Sequence, residues 1–365
     1  QRYFPVQDAT GKLLPCFIVI RNGDRQHLEV VADGNEQVIR ARFADAAFFI
    51  DEDMKHALPE FLPRLGTLTF QKKLGSMLDK SRRITTLVEK LTPILDLTVE
   101  EAMTARRAAE LCKADLVTHM VVEMTSLQGL MGRYYALHAG ETPAVADAIY
   151  EHYLPRFGGD VVPSAKAGLI VSLADRLDTL AGLFAAGMAP SGTKDPFAQR
   201  RAALGLVQLL AENALSLDLD LWMRAAEMNL PIPMSEENHK ACFEFIVGRL
   251  KSNLNDLGYR YDVVDAVLAQ KQNDPAAVFV AVKQLSMWTA RKDWQTILPA
   301  YARCVRITRD LKETHAVVPS RFVEPAEKEL FEALLAAEGL QENVGSVDGF
   351  LNAFLPMIPR VNQFF

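Results

Sequence analysis

The sequence contains no long apolar segment. A membrane-crossing helix needs a run of about 18 apolar residues, and no such run occurs among the 365 residues. Hydrophobic residues make up 49% of the chain and charged residues 24%. This balance excludes a disordered chain and predicts two or three folded domains.

Cysteine and histidine are also scarce. The cysteines, which lie far apart, are Cys16, Cys112, Cys242 and Cys304. They form neither a CxxC pair nor a zinc-binding spacing, so we expect reduced, mostly buried thiols in a cytoplasmic protein. Neither His119 nor His152 has a second His or Cys three or four positions away, which favours a structural role over a metal site for both.

Positive charge is not in excess, since the formal net charge is −6. Nucleic-acid-binding domains are usually basic, so this charge argues mildly against that function, although local patches set the field that a phosphate meets. The sequence also lacks a P-loop and the G-x-G-x-x-G and G-x-S-x-G motifs. It therefore gives no support to a nucleotide site or a serine nucleophile in this chain.

What is present is a short β-rich start followed by helices. The apolar residues 16–20 predict a strand, Asn22-Gly23 a hairpin turn, residues 27–32 a second strand, and Asp33-Gly34-Asn35 a second turn. From Phe43 onward the apolar residues recur at helical spacing.

Helix boundaries can be placed from their capping residues. Thr98 before two glutamates and Thr142 before Pro143 predict helix starts, and Pro231-Ile232-Pro233 predicts a linker. We therefore predict a mainly α fold in three parts: a β-containing remnant of an N-terminal domain (1–60), a helical domain (61–232) and a second helical domain (233–365). Because both ends of the sequence look cut, we expect a piece of a longer protein.

Several strings, in this order, resemble the β subunit of the two-subunit bacterial glycyl-tRNA synthetase. They are GNEQVIRARFADA at 34–46, LQGLMGRYYA at 127–136, AIYEHYLP at 148–155, ADRLDTL at 174–180 and PSGTKDPFAQRR at 190–201. Further on, FIVGRL at 245–250, LGYRYD at 257–262 and YARCVRI at 301–307 resemble the helical anticodon-binding domain shared with arginyl-tRNA synthetase.

The resemblance implies a division of labour between two subunits. A separate α subunit activates glycine with ATP and Mg²⁺ and carries the catalytic site, while the β subunit holds glycine tRNA and completes an α2β2 assembly. We therefore expect no catalytic residue, no cofactor, no metal and no membrane contact in this chain. The resemblance also implies that residues 61–232 are HD-like, the helical fold of metal-dependent phosphohydrolases, and that residues 233–365 are anticodon-binding-like.

A working HD site needs a His, then an adjacent His-Asp pair, then a distant Asp, because a divalent metal is held by imidazole and carboxylate together. The resemblance places these ligands near residues 80–83, near residues 111–115 and at Asp175. Neither stretch contains a His, and Lys113 would repel a cation. We expect a degenerate domain; a metal-dependent phosphohydrolase and a purely structural scaffold for the α subunit remain the alternatives.

Clusters of Lys and Arg are the candidate tRNA contacts, because their cationic groups bind phosphates. Those in the middle domain are Lys72, Lys73, Arg82, Arg83, Lys113 and Arg133. Residues 71–115 hold nine Lys/Arg against seven Asp/Glu, so a solvated helix face remains the alternative. Lys194, Arg200 and Arg201 flank a helix start near Asp195 that could bind an anion or be capped by Asp195 itself.

Residues 291–312 form the most basic segment, with six Lys/Arg against two Asp. Arg303, Arg306, Arg309 and Lys312 recur every three positions. This spacing predicts a stripe along a helix that could follow an RNA backbone. Trp288, Trp294 and Tyr301 could stack on unpaired anticodon bases, although packing in the core is the simpler role for each.

Overall fold

A computed structural model describes residues 3–311, 313, 316–340 and 345–365. These residues form sixteen α-helices and two small antiparallel sheets, which confirms the predicted mainly α fold. The chain divides into two compact units, Gln1–Lys55 and His56–Phe365, each of which makes most of its contacts within itself. The domain boundaries at 60 and 232 remain predictions, and Lys312 lies outside the described residues. Within the described chain, no helix combines the length and apolar content needed to cross a membrane.

The first unit contains a hairpin and one long helix. Strand β1 (Tyr3–Gln7) pairs with β2 (Leu13–Val19), and helix α1 (Leu28–Asp53) follows. The carboxylate of Asp8 closes the hairpin turn by accepting from the Thr10 N–H at 2.8 Å and the Lys12 N–H at 3.0 Å. Gly11 adopts a φ of 84° in that turn. The chain does bend at Asn22-Gly23, but this bend connects β2 to α1 rather than two strands, so the predicted hairpin there is wrong.

The predicted second strand at residues 27–32 is also wrong, because α1 begins at Leu28. The predicted turn at Asp33-Gly34-Asn35 lies inside this helix. There the Asn35 amide donates to the Val31 carbonyl at 2.7 Å and its oxygen accepts from the Tyr3 hydroxyl at 3.0 Å. These bonds stabilise helical backbone where the residue types alone favour a turn.

The second unit begins with the short hairpin β3 (Thr69–Gln71) and β4 (Gly75–Ser76). Its helices are α2 (Met77–Leu91), α3 (Val99–Leu111), α4 (His119–Glu123), α5 (Leu130–His138), α6 (Pro143–Glu151), α7 (Lys166–Ala185), α8 (Gln199–Glu212), α9 (Leu219–Glu227), α10 (Glu236–Asp256), α11 (Tyr261–Leu268), α12 (Pro275–Thr289), α13 (Trp294–Thr308), α14 (Pro325–Leu340), α15 (Val347–Phe354) and α16 (Ile358–Phe364). Short 3₁₀ segments lie at Leu58–Gly66, Ala114–Val117, Thr125–Leu127, Pro319–Arg321 and Leu355–Met357.

The predicted starts of α3 and α6 are confirmed. Thr98 accepts from the Glu101 N–H at 3.2 Å, and the Glu101 carboxylate accepts from the Thr98 N–H at 2.8 Å. Thr142 accepts from the Val145 N–H at 3.3 Å, with Pro143 in the first turn. Each cap satisfies N–H groups that the helix itself leaves free.

Helix α7 lies at the centre of the second unit and packs against α2, α3, α6, α8, α9 and α10. Its apolar side chains Ile170, Leu173 and Leu177 are fully buried. A separate apolar cluster joins α12, α13, α15 and α16 around Trp288, Ile297 and Phe354. The central position of α7 brings its two aspartates, Asp175 and Asp178, into the interior beside the helices around it.

Candidate functional site

A buried charged cluster occupies the centre of the second unit. It consists of Lys80 and Arg83 from α2, Lys113 after α3, and Asp175 and Asp178 from α7. Asp178 accepts from Arg83 Nε at 2.6 Å and from Lys80 Nζ at 3.0 Å. Asp175 pairs through Oδ1 with Lys80 and through Oδ2 with Lys113, both at 2.8 Å.

The ion pairs keep this cluster charged although it is buried. Burial opposes the charge on Lys80, but Asp175 and Asp178 outweigh this effect and raise the pKa of the ammonium above 10.5. Burial likewise opposes the charge on Asp175, but Lys113 and Lys80 outweigh it and hold the pKa of that carboxyl well below 3.8. The two ammonium groups thus occupy both carboxylate oxygens of Asp175.

His152 and Tyr153 complete the surroundings of Lys113. Burial, and next the charge of Lys113, hold the His152 pKa well below 6.5. The neutral ring therefore accepts from Lys113 Nζ at 2.9 Å through Nε2 and donates through Nδ1 to the Ile149 carbonyl. The Lys113 ammonium also lies 4.4 Å from the centre of the Tyr153 ring. This is the structural role predicted for His152.

Asp115 anchors the glycine-containing string at 127–136. Its Oδ2 accepts from the N–H groups of Gly129 at 2.6 Å and Gly132 at 3.1 Å. Burial raises the pKa of the Asp115 carboxyl to about 6, against the effect of those two N–H groups. Gly129 has a φ of 77°, and a side chain there would overlap the ring of Tyr153. Three of the strings that carry the family resemblance therefore meet around one buried polar centre.

The positions where the resemblance places HD metal ligands do come together, but with a different chemistry. Lys80 and Lys113 lie where the resemblance leads one to expect imidazoles, and their ammonium groups pair with the Asp175 carboxylate oxygens. Within the described part of the chain, no group of three or more His, Cys, Asp or Glu is placed to hold a metal ion. This set of donors does not fit a divalent cation, because two ammonium groups would repel it.

The cluster also bears on two candidate tRNA contacts. Arg83 and Lys113 are buried, with their charges directed at Asp178 and Asp175, so we leave them out of the proposed RNA surface. Arg82, Arg133 and Arg200 are more accessible but have carboxylate neighbours. The pairs are Arg82–Asp79 at 3.6 Å, Arg133–Asp147 at 2.5 Å and Arg200–Asp195 at 4.0 Å.

Two basic segments that are distant in sequence meet on the surface. Lys73, at the tip of the β3–β4 hairpin, donates to the Ala186 carbonyl at 3.4 Å. The ring of Phe70, in the hairpin, lies 6.4 Å from the ring of Phe197, which comes just before the start of α8. We call the exposed cations of these two segments the hairpin–loop cluster: Lys72, Lys73, Lys194 and Arg201. Among the described residues, none of the four forms a salt bridge.

The loop that carries Lys194 is held by its own hydrogen bonds. Asp195 accepts from the N–H groups of Gln199 at 2.8 Å and Arg200 at 2.9 Å. The Arg200 guanidinium donates to the Gly192 carbonyl at 2.6 Å. The start of α8 is thus capped by the Asp195 carboxylate. This is the second of the two alternatives that the sequence left open for this helix start. An external anion would meet the side chains of the hairpin–loop cluster rather than this helix terminus.

A third set of cations lies along α13. Arg303 is partly exposed and donates to Asn362 at 2.8 Å, whereas Arg306 and Arg309 are exposed. In the described ranges, no carboxylate forms a salt bridge with any of these three residues, which we call the α13 stripe. Each residue of a helix adds a rotation of about 100°, so residues three apart do not lie directly above one another. The stripe therefore winds gradually around α13.

The tryptophans near the stripe belong to the core. Trp288 is buried and donates from its indole N–H to Asp348 at 2.6 Å, and Trp294 packs against the same apolar cluster. Tyr301 is 41% exposed and meets Phe350 and Phe354 edge to face. Both tryptophans therefore contribute to core packing, Trp294 while only partly buried, and Tyr301 is the most exposed of the three rings.

A second buried charge, not singled out from the sequence, joins α9 to α10. His239 is buried between two carboxylates: Nε2 lies 2.7 Å from Asp220, and Nδ1 bonds to Glu227. Arg224 links Glu236 to Asp220 beside them. Burial lowers the His239 pKa, but the bonds with Glu227 and Asp220 outweigh it and raise the pKa above 6.5.

We expect His239→Gln to destabilise the protein most at mildly acidic pH. Because the folded-state pKa is raised, the contribution of the imidazolium is complete below the unfolded pKa of about 6.5 and is lost as pH rises through the folded value. The variant should lose about 2 kcal/mol of unfolding free energy at pH 6. The difference from wild type should shrink with rising pH in urea titrations. A difference independent of pH between 6 and 9 contradicts an imidazolium at this position.

Comparison with known proteins identifies a family. The family model described as "Glycyl-tRNA synthetase beta subunit" matches residues 1–269. The glycine–tRNA ligase beta subunit of Halalkalibacterium halodurans is 41% identical over 374 residues, covering 100% of this chain and 54% of that protein. Its counterpart from Moorella thermoacetica is 40% identical, covering 98% of the chain and 55% of that protein.

A similar protein from Desulforudis audaxviator is 41% identical over 338 residues, which is 92% of this chain and 49% of that protein. The chain thus spans about half the length of the curated relatives it matches. The family match covers the strings from residue 34 to residue 262 on which the resemblance rests, together with the buried charged cluster. The chain belongs to the glycyl-tRNA synthetase beta subunit family.

Proposed function

We propose that this chain is the tRNA-holding part of a glycyl-tRNA synthetase. It binds glycine tRNA, and a separate α subunit, with which it forms an α2β2 assembly in the cytoplasm, attaches glycine with ATP and Mg²⁺. The observation that carries the proposal is the grouping of accessible cations without salt bridges into two surfaces of the described chain, the hairpin–loop cluster and the α13 stripe.

The contrast between paired and unpaired cations supports this reading. In a protein of net charge −6, many accessible arginines have a carboxylate nearby, as Arg107 does with Glu141. The seven cations of the two surfaces have none among the described residues. If each meets one phosphate and releases its counterions, the logarithm of the affinity falls with the logarithm of the salt concentration with a slope of about −5 to −6.

The two alternative functions, a phosphohydrolase and a scaffold for the α subunit, are not equally compatible with these contacts. A metal-dependent phosphohydrolase needs free carboxylate and imidazole ligands, and the buried charged cluster offers its carboxylates to ammonium groups instead. A scaffold that assembles the α subunit requires only apolar faces and can coexist with tRNA binding. The grouping of such cations on two surfaces favours tRNA binding, because an assembly role alone gives no reason to gather them.

The test is a binding titration of the purified chain with glycine tRNA between 50 and 300 mM salt. We expect salt-dependent binding, and weaker binding with a slope shallower by about three units when Lys72, Lys73, Lys194 and Arg201 are changed to alanine. Glycyl-adenylate should form only after the α subunit is added. Lack of binding at 50 mM salt, or an unchanged slope in the variant, would defeat the proposal for this surface.

A further inference from the structure

The loop between α6 and α7 contains a turn that is closed by its own hydrogen bonds. The Asp160 carboxylate accepts from the Arg156 N–H and from Arg156 Nε, both at 2.9 Å. The Asp160 N–H donates to the Phe157 carbonyl at 3.1 Å. Gly159 adopts a φ of 79°, a conformation that favours glycine. We call residues 156–160 the Phe157 turn.

Side chains from α7 and α8 hold the backbone at both ends of the Phe157 turn. Arg176 donates to the Pro155 carbonyl, just before the turn, at 2.9 Å. Gln208, which is buried, donates to the Asp160 carbonyl at the end of the turn, also at 2.9 Å. A segment held in this way loses little conformational freedom when a ligand binds to it, so less of the binding energy is lost to ordering.

Phe157 is exposed on this fixed turn. It is 59% exposed, and no other described phenylalanine of the second unit is as accessible. Binding residues are often carried by loops that a rigid scaffold positions. An aromatic ring held in this way can serve as a platform on which a nucleobase stacks.

The Phe157 turn lies against the surface of α8 that carries Arg201. A Cβ added at Gly158 would lie 3.4 Å from Leu204 Cδ2, so the turn contacts the helix at Leu204. Arg201 comes three positions earlier and is therefore a neighbour of Leu204 on the helix surface. Its side chain is exposed and forms no salt bridge within the described chain. A ring and a free guanidinium on adjoining parts of the surface match the two parts of a nucleotide, its base and its phosphate.

We propose that Phe157 is a stacking site for an unpaired base of the bound RNA, with Arg201 contacting a neighbouring phosphate. This site rests on the proposed function and deepens it, because cations alone bind the phosphates of paired and unpaired RNA alike. Stacking on a side chain requires a base that is free of its own helix. Arg201 also belongs to the hairpin–loop cluster, and this continuity favours RNA over a protein partner for Phe157.

The test is a titration of the 365-residue chain with glycine tRNA at several salt concentrations, comparing Phe157→Leu with Phe157→Trp. Leucine keeps an apolar side chain but has no aromatic face, so the affinity should fall about fivefold or more. The salt slope should stay unchanged, because no cation is lost. Tryptophan keeps an aromatic face and should bind at least as tightly as the unchanged chain.

Two controls accompany these variants. Val161→Ala changes another exposed apolar residue of the same loop and should bind glycine tRNA as the unchanged chain does. An RNA duplex without unpaired bases should bind equally to the unchanged chain and to Phe157→Leu, since it offers no base for stacking.

Failure of the stacking site can be distinguished from failure of the proposed function. No binding of tRNA by the unchanged chain rejects both. Binding that Phe157→Leu leaves unaltered rejects the stacking site alone, as does an equal loss in Phe157→Trp, in Val161→Ala or with the duplex. A shallower slope in Phe157→Leu would trace its effect to displaced cations. Weaker association with the α subunit at unchanged tRNA affinity would assign Phe157 to a protein interface.

Discussion

Asp178→Ala is expected to lower the free energy of unfolding by about 3–5 kcal/mol, because it removes one partner of a buried ion pair. Asp178 is fully buried and is the carboxylate partner of Arg83 and one of two for Lys80. Its loss leaves three buried cations, Lys80, Arg83 and Lys113, with the single carboxylate of Asp175. Urea unfolding followed by circular dichroism measures the change.

A matched control is Asp265→Ala, which also removes a helical aspartate from an ion pair. Asp265 lies 2.5 Å from Lys251, but both side chains are nearly half exposed. We expect a loss below about 1 kcal/mol there, because water screens exposed pairs. Equal losses in the two variants would show that burial does not determine the importance of Asp178.

A double variant separates the charge effect from simple loss of packing. Adding Lys80→Met to Asp178→Ala removes one of the cations left without its partner. The double variant should therefore be less destabilised than the sum of the two single variants by about 1–3 kcal/mol. Strict additivity would mean that Lys80 and Asp178, 3.0 Å apart, do not stabilise each other.

The sequence was sufficient where local rules decide the structure. The capping residues placed the starts of α3 and α6, and helical spacing predicted the mainly α fold. Prediction from the sequence failed between residues 20 and 35, where the residue types Asn-Gly and Asp-Gly-Asn favour turns. The Asp8 turn and the Asn35 side-chain bonds decided the outcome instead. The Asp8-to-Gly11 stretch was the signal that could have placed the hairpin.

Which cations are free could not be predicted from the sequence, because ion-pair partners lie far apart along the chain. Lys113 meets Asp175, and Arg83 meets Asp178, across 62 and 95 positions. A count of charges in a segment treats Arg83 and Lys72 alike, yet the first is buried in a pair and the second is exposed. The meeting of Lys73 with the loop that carries Lys194 likewise depends on the packing of Phe70 against Phe197.

Changing Arg303, Arg306 and Arg309 together to alanine should weaken binding of glycine tRNA by tenfold or more at about 0.15 M salt. It should also make the salt slope shallower by about two to three units, since each lost phosphate contact accounts for somewhat less than one. Arg306 and Arg309 are exposed, and Arg303 is held only by the neutral Asn362. All three guanidinium groups are therefore available without breaking an ion pair in the described chain.

The control must remove the same charge from cations that already have partners. Arg224, Lys251 and Arg260 suit this purpose, since each lies within 3.0 Å of a carboxylate, on Glu236, Asp265 and Asp262. Both triple variants carry a net charge more negative by three. If general electrostatics governs binding, the two should lose affinity equally, whereas a tRNA backbone lying along α13 requires the larger loss and the shallower slope in the α13 variant alone. Equal effects would remove α13 from the proposed interface and leave the hairpin–loop cluster as its remaining candidate.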